Sequence, residues 1–321
     1  MISRTLASSR KRGTLAGIGG AITLLALLLS ACGTTTAANG GGAPTAPATS
    51  SVPTAAVTCP SASTVASWHL VTAGQLTIAS DTTYAPAEFL DANNKPIGYD
   101  MDLAREFARR LCLKANIVSA TFDSIIPDIS SAPLGQQRYD MSISSFTINS
   151  ARQQKVDMIP YFTAGESILT QASNTGNIHS INDMCGLTIA VQNGTVEQQE
   201  LQDANGGNNG SGQAPVCKSN PITLLSYDDQ GIVVQQVINH RADASYQDQP
   251  VTDYYASLHK GVLIDAGITV QPSPEGLVMR KDNPALEQAI TAALQAMRAD
   301  GTYLRILTTW GEQKLAYPPL S

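Results

Sequence analysis

The stretch YDMSISSFTINSARQQKVDMIPYF, residues 139–162, sets the expectations for the rest of the chain. Its first half alternates apolar and polar residues, which predicts a strand that ends at a polar edge. Three hydroxyls follow, on Ser144, Ser145 and Thr147, and then the cation Arg152. A guanidinium can bind both oxygens of a carboxylate while hydroxyls and backbone N–H groups satisfy the other lone pairs, so the segment suits a small carboxylate ligand. On this segment alone, an ordinary loop with a solvated surface arginine is the alternative.

The N-terminus has the composition of an export signal. Its first twelve residues carry four cations and no acid, and an apolar run follows over residues 15–29. The sequence Leu29-Ser30-Ala31-Cys32 then has the form of a lipobox, whose cleavage exposes a cysteine for lipid attachment. An uncleaved anchor is the alternative, because the run approaches the ~20 residues that span a bilayer. We predict a lipoprotein signal peptide over residues 1–31 and lipidation of Cys32, which holds the protein on the extracytoplasmic face of the cell membrane.

The next segment is predicted to be a flexible tether over residues 32–66. Its first part, residues 33–58, consists almost entirely of Thr, Ala, Gly, Pro and Ser. Such a composition buries too little apolar surface to offset the entropy of ordering the chain. The rest of the chain is long enough for two lobes at roughly 100–200 residues per domain.

Charge and cysteine content narrow the function classes. Loss of the four signal cations lowers the formal net charge from −6 to −10, which argues against nucleic acid as a partner. The four histidines are scattered and no CxxC spacing occurs, so we expect no metal and no cofactor. Four cysteines besides Cys32 allow three disulfide pairings in an oxidising compartment. We favour Cys59–Cys112 and Cys185–Cys217, because each pair then stays within one lobe.

Polar residues follow several predicted strands at the point where those strands end. The strand Leu76–Ala79 precedes Asp81 and Tyr84, and Leu187–Val191 precedes Gly194 and Thr195. Another, Ala242–Tyr246, precedes Asp248. Open α/β sheets bind ligands at the carboxyl ends of their strands. One cation and one anion on opposing strand ends match the two charges of an amino acid, although Asp248 as a cap of the following helix is equally plausible locally. Asp100 is interpreted as the N-cap of a helix rather than as a functional carboxylate.

Seven segments of the chain occur together in the order found in one known family. They are LTIASDTTYAPAEF, IGYDMDLAREFARRL, YDMSISSFTINSARQQKVD, LTIAVQNGT, RADASYQDQP, GLVMRKDNPAL and MRADGTYLRILTTWG. From about Leu76 to Gly311 the chain therefore resembles the family 3 bacterial extracellular solute-binding proteins, the polar amino acid receptors of ABC importers. The resemblance implies the two-lobed α/β fold of type II periplasmic binding proteins, with two crossing strands near Ala164 and Gln271. Lobe 1 would comprise residues 67–164 plus 272–321, and lobe 2 residues 165–271.

The resemblance also implies roles for individual residues. Arg152 would bind the ligand α-carboxylate with help from Thr147 and the backbone around Thr195, and Asp248 would accept the α-ammonium together with Ser145. The full set of expected ligand-binding residues is Asp81, Tyr84, Ser144, Ser145, Thr147, Arg152, Gly194, Thr195 and Asp248. The protein would be a monomeric, non-enzymatic receptor that delivers a free polar amino acid to an ABC transporter permease.

Two departures from the family pattern leave the side-chain preference of this receptor open. Ala87 stands where relatives commonly have an aromatic residue, so the wall near Tyr84 is either roomier or filled by Phe89. Val196 stands where many relatives have a second threonine. A cyclohexadienyl dehydratase on the same scaffold is the alternative function, and it would need a general acid such as Glu88 or Glu197.

Overall fold

The computed structural model of the protein describes residues 58–174, 178–268 and 272–318. The predicted signal peptide, the lipidation site Cys32, most of the tether and the crossover near Gln271 lie outside the described residues. Among the residues that are described, no helix combines the length and the apolar character needed to cross a membrane.

Strands and helices alternate along the described chain. The strands are β1 (Gln75–Ser80), β2 (Thr83–Tyr84), β3 (Glu88–Leu90), β4 (Pro96–Ile97), β5 (Lys114–Ser119), β6 (Met141–Ser142), β7 (Asp157–Ala164), β8 (Glu166–Gln171), β9 (Thr188–Gln192), β10 (Thr223–Tyr227), β11 (Ala244–Asp248), β12 (Leu263–Ile268) and β13 (Ser273–Met279). The helices are α1 (Ala62–Ala66), α2 (Tyr99–Arg110), α3 (Phe122–Ser130), α4 (Ser150–Lys155), α5 (Val196–Ala204), α6 (Gln230–Ile238), α7 (Gln249–Leu258), α8 (Pro284–Ala299) and α9 (Thr302–Trp310).

The first large sheet has the strand order β5-β1-β6-β13-β7. Strand β1 runs parallel to β5 and β6, whereas β13 runs antiparallel to β6 and β7. Leu76 and Ile78 pack on one face with residues of α2, α8 and α9, and Ala79 packs on the other face with residues of α3. Helices on both faces explain why β1 is buried at every residue after Gln75, although only three of its six residues are apolar. This sheet with its helices and the small sheet β2-β3-β4 is called lobe 1 below.

The second large sheet has the strand order β10-β9-β11-β8-β12 and is called lobe 2 together with α5, α6 and α7. Strand β9 is parallel to β10 and β11, while β8 is antiparallel to β11 and β12. Leu201 of α5 packs on one face with Ile189 and Tyr246. Val233 of α6 packs on the other face with Ala190. The two-lobed α/β fold expected from the sequence is confirmed.

The lobes are connected through neighbouring strands. Strand β7 ends at Ala164 in lobe 1, and β8 begins at Glu166 in lobe 2 with a single residue between them. The chain returns from β12 in lobe 2 to β13 in lobe 1. Such a pair of short connections allows rigid lobes to move relative to each other while the ends of their strands face one cleft.

The last residues of the expected tether are structured. Cys59 forms a disulfide with Cys112, and the hydroxyl of Ser61 caps α1 by accepting a hydrogen bond from Thr64 N at 3.2 Å. Trp68 is buried in the core of lobe 1. A cross-link and a buried indole supply the stabilisation that composition alone did not reveal, so order begins before residue 67.

The disulfides follow the pairing that keeps each bridge within a lobe. Cys59 joins Cys112 in lobe 1, and Cys185 joins Cys217 in lobe 2. In the chain-entropy description, closing loops of 53 and 32 residues stabilises the fold by roughly 3–4 kcal/mol each.

The N-cap assigned to Asp100 from the sequence is wrong. Helix α2 begins directly after Gly98, whose φ is +128° and whose position leaves no room for a side chain, because a Cβ there would lie 2.0 Å from the carbonyl oxygen of Ala87. Asp100 sits inside the first turn and is fully buried. Its Oδ2 accepts hydrogen bonds from the Tyr161 hydroxyl at 2.7 Å and from Ser145 N at 3.3 Å. Its carboxylate therefore supports the loop after β6 instead of a helix end.

One apolar side chain of α6 faces solvent. Ile232 is 46% exposed. The helix begins at Gln230 because Asp229 caps it by accepting from Ile232 N at 3.0 Å, and this start sets the inner face on Val233, Val234 and Val237.

Candidate functional site

A small cavity lies between the two lobes. It is lined by Tyr84, Phe122, Ser145, Thr147, Arg152, Gln192, Thr195, Val196, Glu197 and Asp248. Six of the nine residues expected from the sequence border it: Tyr84, Ser145, Thr147, Arg152, Thr195 and Asp248. The other three, Asp81, Ser144 and Gly194, contact residues that line the cavity or their neighbours, as described below.

Arg152 is buried on the lobe 1 side of the cavity. Helix α4 places it one turn after Asn149, whose side chain caps the helix by accepting from Arg152 N at 2.9 Å. Its guanidinium donates to the carbonyl oxygen of Thr147 at 2.7 Å and, across the cleft, to that of Gly194 at 3.2 Å. Burial lowers the pKa of Arg152 to about 10, and nearby carboxylates of lobe 2 oppose this change. The guanidinium is charged at neutral pH. Because Arg152 is only 8% exposed, the alternative of a solvated surface arginine does not apply.

Two stacked rings support the guanidinium from behind. Phe122 and Phe146 lie with ring centroids 4.2 Å apart, and the Arg152 guanidinium carbon is 5.5 Å and 5.1 Å from these centroids. Cation–π contact with such faces favours a planar, delocalised cation and fixes its plane. An oriented guanidinium is what two-point binding of a carboxylate requires.

Asp248 stands on the lobe 2 side at the carboxyl end of β11. It occupies the N-cap position of α7, yet its side chain makes no cap hydrogen bond. Instead its Oδ2 accepts from the Tyr84 hydroxyl at 2.9 Å, and its backbone N–H donates to the same hydroxyl oxygen at 3.0 Å. The capping alternative for Asp248 is therefore not what the structure has, and the carboxylate points at lobe 1.

Asp81 lies behind Gln192 rather than on the cavity wall. Its Oδ1 accepts from the Thr83 hydroxyl at 2.9 Å, and its Oδ2 accepts from Nε2 of Gln192 in lobe 2. The side-chain amide of Gln192 also donates to the carbonyl oxygen of Asp228 at 3.0 Å, while its Oε1 is buried with no hydrogen-bond partner. Burial raises the pKa of Asp81 to about 7, with Asp229 adding to the rise.

The turn before α5 brings lobe 2 backbone close to lobe 1. Gly194 has φ +79°, and a Cβ on it would lie 2.7 Å from the Cβ of Asp123, so only glycine allows this approach. Thr195 follows as the N-cap of α5, with its hydroxyl accepting from Gln198 N at 3.2 Å and donating to Gln192 O at 2.9 Å. The first N–H groups of a helix carry partial positive charge, which suits a carboxylate ligand at this end.

The serines of the loop after β6 connect the cavity to buried carboxyls. Ser145 has φ +45°, a conformation that costs energy in a non-glycine residue and occurs often at functional sites. Its hydroxyl is buried without a hydrogen-bond partner on the cavity wall. Ser144 accepts from Asp81 N and donates to Glu88, both at 2.9 Å. Ser144 therefore positions the Asp81 loop, and Ser145 is the hydroxyl available to a ligand.

The position of Phe89 shows whether this residue fills the wall near Tyr84. Its ring centroid lies 5.7 Å from that of Tyr254 in lobe 2 and 6.1 Å from that of Trp310 in lobe 1. Phe89 is thus part of a contact between the lobes outside the cavity, whereas Ala87 is fully buried in the core of lobe 1. Neither residue lines the cavity.

Four lining residues were not among those expected to bind the ligand: Phe122, Gln192, Val196 and Glu197. From the sequence, Val196 is notable only for lacking the hydroxyl of a threonine, and Glu197 only as a candidate general acid. Phe122 begins α3 and Gln192 ends β9, so both stand at the ends of elements that face the cleft. Their position at the end of a strand or helix was the signal available in the sequence. That signal does not show which of the residues at such an end borders the cavity.

The cavity wall carries one cation and two carboxyl groups. Burial raises the pKa of Asp248 well above its ordinary value, and Glu275 and Glu166 raise it further. Burial also raises the pKa of Glu197, with Asp248 the next cause. Both carboxyls would be stabilised as anions by a positive group in the cavity, because a nearby cation lowers the pKa of a buried acid. Arrangements of three or more metal-binding side chains are not found among the described residues.

Comparison with known proteins identifies relatives over the same region. The sequence profile of the bacterial extracellular solute-binding proteins, family 3, matches residues 76–313. The arginine-binding protein ArgT of Corynebacterium glutamicum is 30% identical over 239 residues, which cover 74% of each chain.

Solved structures agree with this match. An ancestral arginine-binding protein bound to arginine is 30% identical, with a TM-score of 0.66 over 74% of this chain and 98% of that one. An ancestral amino acid-binding protein described as a precursor of cyclohexadienyl dehydratase is 31% identical, with a TM-score of 0.63 over 74% and 95% of the two chains.

Proposed function

Because the chain belongs to the family 3 bacterial extracellular solute-binding proteins, we propose that it is a receptor that binds a free polar amino acid between its lobes and delivers it to an ABC importer. One observation carries the proposal: Arg152 of lobe 1 and Asp248 of lobe 2 line the same cavity. The guanidinium would bind the α-carboxylate and the Asp248 carboxylate the α-ammonium.

The two charges of the ligand explain why binding would favour closure. Burying an ion without a partner costs several kcal/mol, so an amino acid enters only if both of its charges are satisfied. Arg152 and Asp248 come from different lobes, and they can satisfy both charges together only when the lobes meet. The ligand then shifts the population toward the closed form, which a permease can distinguish from the open form.

A cationic amino acid is the ligand class that balances the site. The cavity wall has one formal positive charge, on Arg152, and two formal negative charges, on Glu197 and Asp248. A ligand with one carboxylate and two positive groups therefore brings the total formal charge to zero. Asp81 adds a further carboxylate behind Gln192. The relatives described as arginine-binding point the same way.

Each expected residue has a place in this proposal. Arg152, Thr147 and the backbone of Gly194 and Thr195 surround the carboxylate, and Asp248, Ser145 and Tyr84 surround the ammonium. Asp81 and Ser144 support the wall.

The proposal also includes lobe boundaries at residues 164/165 and 271/272 and a monomeric state. It further includes lipid attachment at Cys32 on the extracytoplasmic face. The last of these has its support in the lipobox-like sequence.

A thermal-shift panel of the twenty amino acids tests the proposed ligand class. A ligand at 100 times its Kd stabilises the native state by about 2.7 kcal/mol, which raises Tm by several degrees. We expect shifts for arginine, lysine or histidine and smaller ones for neutral polar amino acids. No shift with any amino acid would contradict the proposal.

The dehydratase is the second candidate, and one observation favours it. Glu197 is buried on the cavity wall with a raised pKa, as a general acid requires, and a precursor of such an enzyme is among the similar structures. Incubation with prephenate or arogenate, followed by the absorbance of the aromatic product, decides between the two. We expect no product, and turnover abolished by Glu197→Gln would support the enzyme instead.

A further inference from the structure

Lobe 2 carries more carboxyl groups on one face of its sheet than an ammonium group needs. Asp248 of β11 and Glu166 of β8 are directly opposite each other in the antiparallel pair, so their side chains share a face. Tyr246 precedes Asp248 by two residues and projects from this face as well. All three residues are buried.

Helix α5 covers the same face and adds two more carboxyls. Leu201 of α5 and Tyr246 belong to one apolar cluster, which fixes the side of the sheet on which the helix lies. Glu197 and Glu200 are three residues apart and therefore neighbours on the helix surface. Glu197 is 2% exposed and its Oε1 has no hydrogen-bond partner. We call Glu166, Glu197, Glu200 and Asp248 the acid cluster.

The contacts of one hydroxyl favour a proton in this cluster. The Tyr246 hydroxyl contacts Oε2 of Glu166 and lies 2.9 Å from Oε2 of Glu200. A phenol has a single proton and donates one hydrogen bond. Two full hydrogen bonds form when one carboxyl group is protonated and donates to the phenol oxygen, whereas two carboxylates would have to share the single proton of the phenol. The geometry therefore favours a proton at this junction.

The charged groups around the cluster favour the same protonation. Burial raises the pKa of Glu200 to about 9, and Glu166 and Glu197, which face it, add to the rise. From lobe 1, Tyr84, Arg152 and Glu275 face Asp248, and only Arg152 among these three is a cation. Arg152 also faces Glu197. One guanidinium opposes four cluster carboxyls and Glu275, so the cluster holds protons at neutral pH.

We propose that the acid cluster stores a proton that leaves for solvent when a ligand ammonium group binds at Asp248. The inference rests on the proposed function, because it uses Asp248 as the ammonium acceptor. One positive charge enters with the ligand and one leaves as the proton, so the net charge of the cluster stays constant. No bond of the ligand is made or broken.

Proton release makes capture of the ligand dependent on pH. For each proton released, Kd falls tenfold for every unit by which the pH rises. This dependence holds between the pKa of the cluster with ligand bound and its higher pKa without ligand. Acidification outside the cell would therefore favour release of the amino acid from the receptor.

Calorimetry in two buffers tests the proposal. L-Arginine and L-glutamine are titrated into the full chain purified in detergent at pH 7, in phosphate and in Tris, which differ strongly in ionisation enthalpy. The difference in observed enthalpy, divided by the difference in ionisation enthalpy, gives the number of protons released. We expect between about half a proton and one proton for each ligand that binds, because both carry the same α-ammonium group.

Variants locate the proton. Glu200→Gln keeps a hydrogen-bonding side chain beside Tyr246 but removes a titrating carboxyl, so release should fall below half of the wild-type value. Tyr246→Phe removes the bridging hydroxyl and should also reduce it. The matched control Glu287→Gln removes a carboxyl from α8 in lobe 1 and should leave release unchanged.

The outcomes separate this inference from the proposed function. Equal enthalpies in both buffers with clear binding would overturn the inference and leave the receptor intact, as would wild-type proton release from a folded Glu200→Gln variant. If neither amino acid binds to the wild-type chain, the proposed function is contradicted, and the inference falls with it. Should both variants fail to fold, the wild-type comparison still decides whether a proton is released.

Discussion

The hydroxyl of Tyr84 donates a hydrogen bond to Oδ2 of Asp248 at 2.9 Å and accepts one from the Asp248 backbone N–H at 3.0 Å. Tyr84 belongs to lobe 1 and Asp248 to lobe 2, so this pair of hydrogen bonds exists only while the lobes are closed. The same tyrosine lines the cavity. One residue therefore links the orientation of the proposed ammonium acceptor to closure.

Removing the Tyr84 hydroxyl should weaken ligand binding. Tyr84→Phe leaves a buried carboxylate oxygen and a backbone N–H without this partner, a loss of about 1–3 kcal/mol, or roughly 5- to 150-fold in Kd. Calorimetric titration of arginine measures the change. Tyr255→Phe in α7 removes a tyrosine hydroxyl that does not border the cavity and should leave Kd unchanged. Equal affinities for wild type and Tyr84→Phe would show that the link does not contribute to binding.

Arg152 should be more sensitive than any other lining residue. Arg152→Ala leaves the ligand carboxylate buried without its cation, which costs on the order of 2–5 kcal/mol of binding free energy. Arg152→Lys keeps the charge but loses the planar two-point geometry and should give an intermediate Kd. Lys155→Ala in the same helix is the matched control, because Lys155 is exposed. The assignment of the carboxylate site fails if Arg152→Ala binds arginine as tightly as wild type.

Stability should fall as pH rises from about 4 to 7, in part because of Asp81. Burial raises the pKa of Asp81 from 3.8 to about 7, so in this window the folded state binds more protons than the unfolded state. Stability then decreases with increasing pH until the folded-state pKa is passed. Asp100 contributes a pH dependence of stability with the same sign, because burial raises its pKa to about 7.

Asp81→Asn should flatten this pH dependence. Asparagine does not titrate, and its amide N–H₂ can donate to the Oε1 of Gln192 after a flip of the Gln192 amide. Urea unfolding at pH 5 and pH 7.5 measures the difference in the free energy of unfolding, with Asp282→Asn, an exposed site, as control. An undiminished pH dependence in Asp81→Asn would assign the titration to other carboxyls.

Phe89 should affect the affinity for all ligands by the same factor. It contacts Tyr254 across the cleft, and aromatic pairs contribute about 0.5–1.5 kcal/mol beyond area burial, roughly 2- to 12-fold in Kd. Phe89→Ala therefore weakens closure without touching the cavity, and the ranking of amino acids in the thermal-shift panel should not change. Leu90→Ala is the control on the same strand, because Leu90 is 40% exposed. A changed ranking would place Phe89 against the ligand side chain.

Much of the fold could be predicted because its signals are local. Strand ends with polar residues marked Asp81, Ser145 and Asp248, since period-two patterns and turn residues show where a strand stops. Arg152 could be assigned because a single cation follows the hydroxyl-rich strand end. The disulfide pairing followed from keeping each bridge within a lobe.

What the sequence did not reveal depends on contacts distant along the chain. Gln192 borders the cavity because closure brings it against Asp81, 111 residues away. Asp100 has the local features of a helix cap, but burial and the Tyr161 hydroxyl decide its role. From the sequence, Glu200 is predicted to be a polar surface residue of a helix. In the structure the hydroxyl of Tyr246, 46 residues further along the chain, contacts both Glu200 and the carboxyl of Glu166. Tertiary packing, not propensity, determines each of these positions.

In the proposed receptor, Arg152 binds the carboxylate of the amino acid and Asp248 binds its ammonium group. Titration of L-arginine and of agmatine, its analogue without the α-carboxylate, tests this most directly. We predict measurable binding of arginine, and agmatine binding weaker by at least about 30-fold, which corresponds to loss of roughly 2 kcal/mol at the guanidinium. Equal affinities for the two compounds would contradict the account, because the carboxylate would then contribute nothing to recognition.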